Sequence, residues 1–130
     1  DLLAALFKQT AIEEMLHTER LAERVLFLKA EVEIRATDEV GKIHDVAQML
    51  TRAREMEEAS IRDYNRWANE CATNADSVSK QVFEALVADE ERHFDQYDIE
   101  MDNLDKFGES YLALQSIERS KSRTGGRPAE

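Results

Sequence analysis

Apolar residues recur every three or four positions along most of this chain, and three long stretches of that pattern dominate it. From residue 1 to about 30, the ladder Leu3, Leu6, Thr10, Glu14, His17, Leu21, Val25, Leu28 keeps to one helical face, which predicts a long helix. Glu13, Glu19, Arg20, Glu23 and Arg24 are assigned to its charged outer face. From 31 to 44 the period dissolves, with Thr37-Asp38 and Gly41 as loop residues. A crossover of that length lets the next helix run parallel to the first. That helix spans about 45 to 72, with Asp45 as N-cap and the inward ladder Val46, Leu50, Ala53, Glu57, Ile61, Tyr64, Ala68, Cys71. The polar link Thr73-Asn74-Ala75-Asp76 predicts an antiparallel return through a third helix over 77–107, stopped by Gly108. Its ladder is Phe83, Leu86, Glu90, His93, Tyr97, Met101, Leu104. A short helix follows over Tyr111–Ile117. The tail 118–130, rich in Ser, Arg, Gly and Pro, is expected to be disordered. The fold class is all-α: a four-helix-bundle arrangement with a long crossover, here three long helices plus a short C-terminal one, forming one domain over 1–117.

Five carboxylate or imidazole groups interrupt these apolar ladders. Glu14 and His17, like Glu90 and His93, form a Glu-x-x-His pair whose i, i+3 spacing sets both side chains on one face. Glu57 stands mid-ladder on the second helix. Burying carboxylates and imidazoles costs several kcal/mol each unless something compensates them. No Arg or Lys lies in the three ladders to do so. Bound cations are the simplest compensation, and helices of similar length bring their midpoints to one level. The donor set of Glu oxygens and His nitrogens suits iron or manganese rather than copper or a closed zinc site. Glutamates shared between two metals would support two-electron chemistry on dioxygen or peroxide. Met15 lies about 100° round the helix from Glu14 and faces a neighbouring surface. His44 reads as solvated. Tyr64, Trp67 and Tyr97 read as core, with Tyr97 one turn past His93 beside the metals.

Charge narrows the partners. The formal charge of −11 and pI near 4.8 exclude nucleic acid and anionic membrane and favour cations. The lone Cys71 builds neither a disulfide framework nor a Cys-rich metal module, which places the chain in a reducing, cytoplasmic setting. No apolar run reaches membrane-spanning length, and Lys8, Glu13 and Glu14 interrupt the N-terminal apolar residues too soon for a signal peptide. The chain opens at Asp1 already in helical register, so an upstream element is expected.

Taken together, Glu13-Glu14-Met15-Leu16-His17 with its continuation to Leu28, the Glu57 helix, Asp76-Ser77-Val78, Ala88 to Asp95 and Tyr111-Leu112-Ala113 resemble the bacterioferritins, from about residue 3 to 117. The resemblance implies a ferritin-like bundle with a di-iron ferroxidase centre, in which Glu14 and Glu90 bridge and His17, His93 and Glu57 are terminal ligands. It implies that Met15 ligates the iron of a b-type haem shared across a two-fold axis. It implies that Tyr111–Ile117 is the fifth helix near the four-fold axes of a 24-subunit cage. Fe(II) and dioxygen or peroxide would be the substrates, iron storage the function, and a ferredoxin the reductant for release. Two departures stand out. The chain has no counterpart of the family's first helix, which leaves the site one carboxylate short, and Gln9 replaces an inner-surface histidine, though Glu13 keeps a carboxylate nearby. A rubrerythrin-like di-iron peroxidase and a non-catalytic helical shell are the alternatives. The missing Cys-rich module and the fifth-helix segment count against the first.

Overall fold

The computed structural model describes residues 2–36, 39 and 41–124. Thr37-Asp38 of the predicted loop and the last six residues of the tail lie outside the described residues. Among those described, the chain forms four helices and no strand: α1 (Leu2–Phe27), α2 (Val46–Thr73), α3 (Ser77–Phe107) and α4 (Glu109–Thr124).

Boundaries follow local chemistry. Asp45 caps α2 by accepting the Gln48 amide at 2.9 Å, and Asp76 caps α3 by accepting the Ser79 amide at 3.1 Å. At the end of α2, the Asp76 amide donates to the Cys71 carbonyl and the Ala75 amide to the Ala72 carbonyl, with Ala75 at φ 57°. That is a Schellman ending with alanine where glycine is usual. Helix α1 ends the same way: Ala30 donates to Val25, Lys29 donates to Leu26, and Lys29 takes φ 63°. It therefore stops at Phe27, short of the predicted 30. Gly108, at φ 56°, closes α3 as expected. Helix α4 is longer than predicted and continues to Thr124, so 118–124 is helical rather than a disordered tail.

Cross-helix contacts fix the directions. Phe7 packs against Tyr97 in a tilted pair with ring centroids 5.3 Å apart, His17 meets Asp89 and Glu90, and Arg24 binds Asp76 and Ser79. Numbers rise along α1 as they fall along α3, so the two are antiparallel. Helix α2 is antiparallel to α3 through its tight turn and so runs parallel to α1, as the crossover predicted. Leu50 and Leu86 are fully enclosed, and each contributes roughly 1.5–3 kcal/mol of burial. Leu3, Leu50 and Tyr97 form the core nearest the α1 N-terminus, with Leu6, Phe7, Met101, Leu104 and Leu112 packed on it.

Arg24 is a correction to its outer-face assignment. Its side chain is only 15% exposed, donating from Nε to Ser79 Oγ and from an Nη to Asp76 Oδ1, both at 2.8 Å. This clamp ties the end of α1 to the start of α3 and so fixes the axial register of the residues between.

Candidate metal centre

The interrupting polar residues converge. Glu90 and His93 are fully buried, His17 and Glu57 are buried, and Glu14 is partly exposed at the edge. Donor atoms of Glu14, Glu57, Glu90 and His93 all lie within 4.8 Å of one another, close enough to share a cation. His17 Nδ1 joins them at 3.1 Å from Glu90 Oε1 and 3.5 Å from Glu14 Oε2. His93 Nδ1 lies 3.2 Å from Glu14 Oε1, 3.7 Å from Glu90 Oε2 and 3.8 Å from Glu57 Oε2. Each of Glu14 and Glu90 thus turns one oxygen to His17 and the other to His93, and Glu57 faces His93 alone. The imidazoles stack at 5.9 Å between centroids.

Most of these inward atoms have no hydrogen bond. Glu14 Oε1, both Glu90 oxygens, His17 Nδ1 and His93 Nδ1 are buried without a hydrogen-bond partner. Leaving so many acceptors and ring nitrogens unpaired costs about 1–3 kcal/mol each. The outward ring nitrogens, by contrast, are held. His17 Nε2 lies 3.2 Å from Asp89 Oδ2 and His93 Nε2 lies 2.7 Å from Glu13 Oε2. A carboxylate on the outer nitrogen makes that nitrogen the N–H, so Nδ1 is left as a lone-pair donor aimed inward.

Sequence reasoning missed both outer carboxylates. Glu13, assigned to the outer face, sits four residues before His17 and hence only about 40° from it round the helix. It also binds Arg92, whose hydrogen bond, helped by His93, holds the Glu13 carboxyl down at about 2. The signal was present. Each Glu-x-x-His is preceded by another acid, Glu13 or Asp89, and each of those acids serves the histidine of the opposite motif.

Electrostatics inside the cluster run the other way. Burial, with the neighbouring Glu57 carboxylate, pushes Glu90 up to about 7. Burial also raises Glu14 and Glu57. Three carboxylates that resist ionising together, with two imidazole lone pairs among them, make a site that gains by taking up divalent cations.

The site lies beside an open groove. The backbones of α1 and α2 stay apart, with no Cα pair within 8 Å, and the space between them, floored by α3, holds cavities of about 420 Å³ and 560 Å³. Glu14 and Glu57 line the first of these with Phe7, Met56 and Tyr97. Met15 points elsewhere: it is 71% exposed on the back of α1, in one stripe with the exposed Ile12 and Leu26. An exposed thioether on an apolar stripe is the donor that would hold the iron of a flat apolar cofactor. Tyr97 is 3% exposed and is a core residue beside the site. His44 is exposed, as predicted.

A bundle whose three long helices each carry glutamate or histidine into one buried cluster belongs to the class built around a dinuclear carboxylate–histidine centre. Residues 1–107 match the ferritin-like domain. The chain is 31% identical to the bacterioferritin of Streptomyces coelicolor over 124 residues, 95% of this chain and 74% of that protein. It is 30% identical to the bacterioferritin of Desulfovibrio desulfuricans, over 95% of this chain and 68% of that protein. The crystal structure of the latter, described with its diiron site in different catalytic states, superposes with a TM-score of 0.83 at 29% identity, covering 86% of this chain and 66% of that one. BfrA from Mycobacterium tuberculosis shares the fold, with a TM-score of 0.81 at 24% identity over 87% of this chain and 70% of that one. The chain spans about two thirds to three quarters of the length of these relatives. It belongs to the ferritin-like family, among the bacterioferritins. No described helix is long and apolar enough to cross a membrane.

Proposed function

We propose that this protein stores iron and oxidises ferrous ions at the five-residue cluster. The observation that carries this reading is the set of buried, unpartnered donor atoms facing one another, with both histidines locked from behind by Asp89 and Glu13. Two ferrous ions bind there as substrate. Glu14 and Glu90 bridge them, His17 serves one, and His93 with Glu57 serves the other. The two ions give one electron each to dioxygen or hydrogen peroxide. With dioxygen, two protons are taken up and hydrogen peroxide forms; with peroxide, two protons are taken up and two waters form. The product ferric ions pass to a mineral inside a shell of many copies, which we take to be the 24-subunit cage, with α4 near its four-fold axes. The net charge of −11 draws ferrous ions in.

His17 lacks the terminal carboxylate that Glu57 gives His93 among the described residues. We place that sixth ligand on a further helix, besides α1–α4, lying in the α1–α2 groove. Haem bound between Met15 residues of two chains would supply one-electron transfer for reductive release, with a ferredoxin as external donor. A cytoplasmic setting follows from this role.

Oxygen- and peroxide-dependent ferrous oxidation, followed by ferric absorbance, tests the reading, with Glu90→Ala as the comparison. The wild type turns over and the variant does not; equal rates reject the site.

A further inference from the structure

Arg92 touches both of the acids that stand behind the imidazoles. From α3, its Nη2 donates to Glu13 Oε2 of α1 at 2.5 Å and lies 3.4 Å from Oδ1 of Asp89, three residues back on its own helix. The same Glu13 oxygen faces His93 Nε2 at 2.7 Å, and the other oxygen of Asp89 faces His17 Nε2 at 3.2 Å. One guanidinium therefore closes a continuous chain across the α1–α3 face of the centre: His17, Asp89, Arg92, Glu13, His93. Gln9 strengthens its Glu13 end by donating from Nε2 to Glu13 Oε1 at 3.2 Å. Spacing brings these groups together. Arg92 and His93 follow Asp89 by three and four residues on α3, and His17 follows Glu13 by four on α1, so each set shares a helix face.

The two acids hold this arrangement poorly by themselves. Their side chains are 23% and 41% exposed, and polar pairs so open to solvent hold weakly. Each carboxylate can turn to water, and the two like charges repel. Arg92 removes both faults. A guanidinium stays charged at any working pH, and the Glu13 hydrogen bond pushes its pKa up further. Standing between the acids, it cancels their repulsion and fixes the rotamer of each. We propose that Arg92 is the positioning residue shared by both halves of the centre, holding Glu13 behind His93 and Asp89 behind His17 so that the two imidazoles present their lone pairs inward together. This rests on the reading of the cluster as a metal centre, because it assigns a cause to the placement of the donors already named. Its consequence is a coupling. Loss of Asp89 frees His17 alone and loss of Glu13 frees His93 alone, whereas loss of Arg92 frees both.

The sequence holds three histidines, so the rings can be read one by one. The first arm needs no metal. Protein labelled with nitrogen-15 at histidine is studied by long-range proton–nitrogen correlation at about pH 8.5, well above the ordinary histidine value of about 6.5, and the pattern reports the tautomer of each ring. In the wild type, His17 and His93 are expected in the fixed Nε2–H form and exposed His44 in an average of the two. Arg92→Ala, which puts the best helix former at that position, should average both inward rings. Asp89→Ala should average His17 alone and Glu13→Ala His93 alone. Methylguanidinium added to Arg92→Ala should restore both. Rings unchanged in Arg92→Ala, a change at His93 only, or averaging that methylguanidinium does not reverse overturns the proposal. In the second arm, the cobalt(II)-loaded protein is searched for paramagnetically shifted, exchangeable proton signals from the two Nε2–H groups. Both should be present in the wild type and exchange with water about tenfold faster in Arg92→Ala, the factor that one lost hydrogen bond corresponds to. Unchanged exchange overturns the proposal and leaves the metal-centre reading standing. Absence of shifted signals in the wild type overturns the metal-centre reading, while the tautomer arm still decides how the rings are held.

Discussion

Asp89 Oδ2 lies 3.2 Å from Nε2 of His17, although the two residues sit on different helices and 72 positions apart. The bond does two things. It fixes the His17 tautomer so that Nδ1 carries the lone pair, and it fixes the ring plane toward Glu90 Oε1, 3.1 Å away. Glu13 does the same for His93 from the opposite helix. Outer partners of this kind typically change metal affinity by about 10–100-fold. Asp89→Ala is therefore expected to weaken cobalt(II) binding by that range, read by titration of the cobalt absorption bands, while helicity by circular dichroism stays unchanged. Asp89→Asn, which keeps an acceptor oxygen, should recover part of the loss. Wild-type affinity in Asp89→Ala would show that His17 needs no support.

Why were Glu14, His17, Glu57, Glu90 and His93 legible in the sequence while Asp89 and Glu13 were not? A ladder of period three to four reports the angle of a residue about its own helix, which is enough to say that five polar groups face inward. It says nothing of which neighbour meets the edge of that face. Glu13 and Arg24 sit within about 40° of His17 round α1 and still looked like surface charge, because their partners come from α3. The end of α1 was obscured for a different reason. Its Schellman turn uses Lys29 in the left-handed region, so neither glycine nor proline marks it. In the α4 tail, the low apolar content concealed a helix that extends to Thr124.

Glu57 stands beside His93 only, at 3.8 Å, and has no counterpart beside His17 among the described residues. Removing it strips the better-furnished half of the centre. Glu57→Ala should leave one metal equivalent bound through Glu14, Glu90 and His17, and weaken the other by more than the roughly 100-fold upper range for loss of an outer partner. Isothermal titration with cobalt(II) resolves this as a drop from two binding events to one. Two unchanged events would remove Glu57 from the ligand set.

The α2–α3 turn carries stored strain that is easy to relieve. Ala75 holds φ 57° at the position where a Schellman ending favours glycine. The Cβ penalty there is about 1–2 kcal/mol, offset in part by the larger chain entropy of glycine when unfolded. Ala75→Gly is expected to stabilise the protein by about 0.5–1 kcal/mol in denaturant titration with the same slope. A loss of stability would mean that the turn depends on the alanine methyl.

Acidity should act on the metal-free protein in a direction set by Glu90. Its folded value of about 7 lies above the ordinary 4.5. Below pH 4.5 the carboxyl is protonated in both folded and unfolded chains and folding loses nothing. Between 4.5 and 7 the unfolded chain ionises while the folded one holds its proton, so stability falls as pH rises, levelling off once the folded group ionises too. At about 1.4 kcal/mol per unit the loss approaches roughly 3 kcal/mol from this group. Glu14 and Glu57 are raised by burial as well and add in the same direction. Glu13 and Asp76 are held low, so their losses fall on the acid side of the ordinary carboxylate range and do not overlap this window. Thermal melts of metal-free protein should therefore drop between pH 4.5 and 7, and Glu90→Gln should flatten much of that slope. Bound cobalt(II) or manganese(II) should reverse the trend, because metal needs the ionised carboxylates that the empty core resists. A melting temperature that rises across the window in the metal-free wild type would mean that the cluster is solvated and that the core demands no cation.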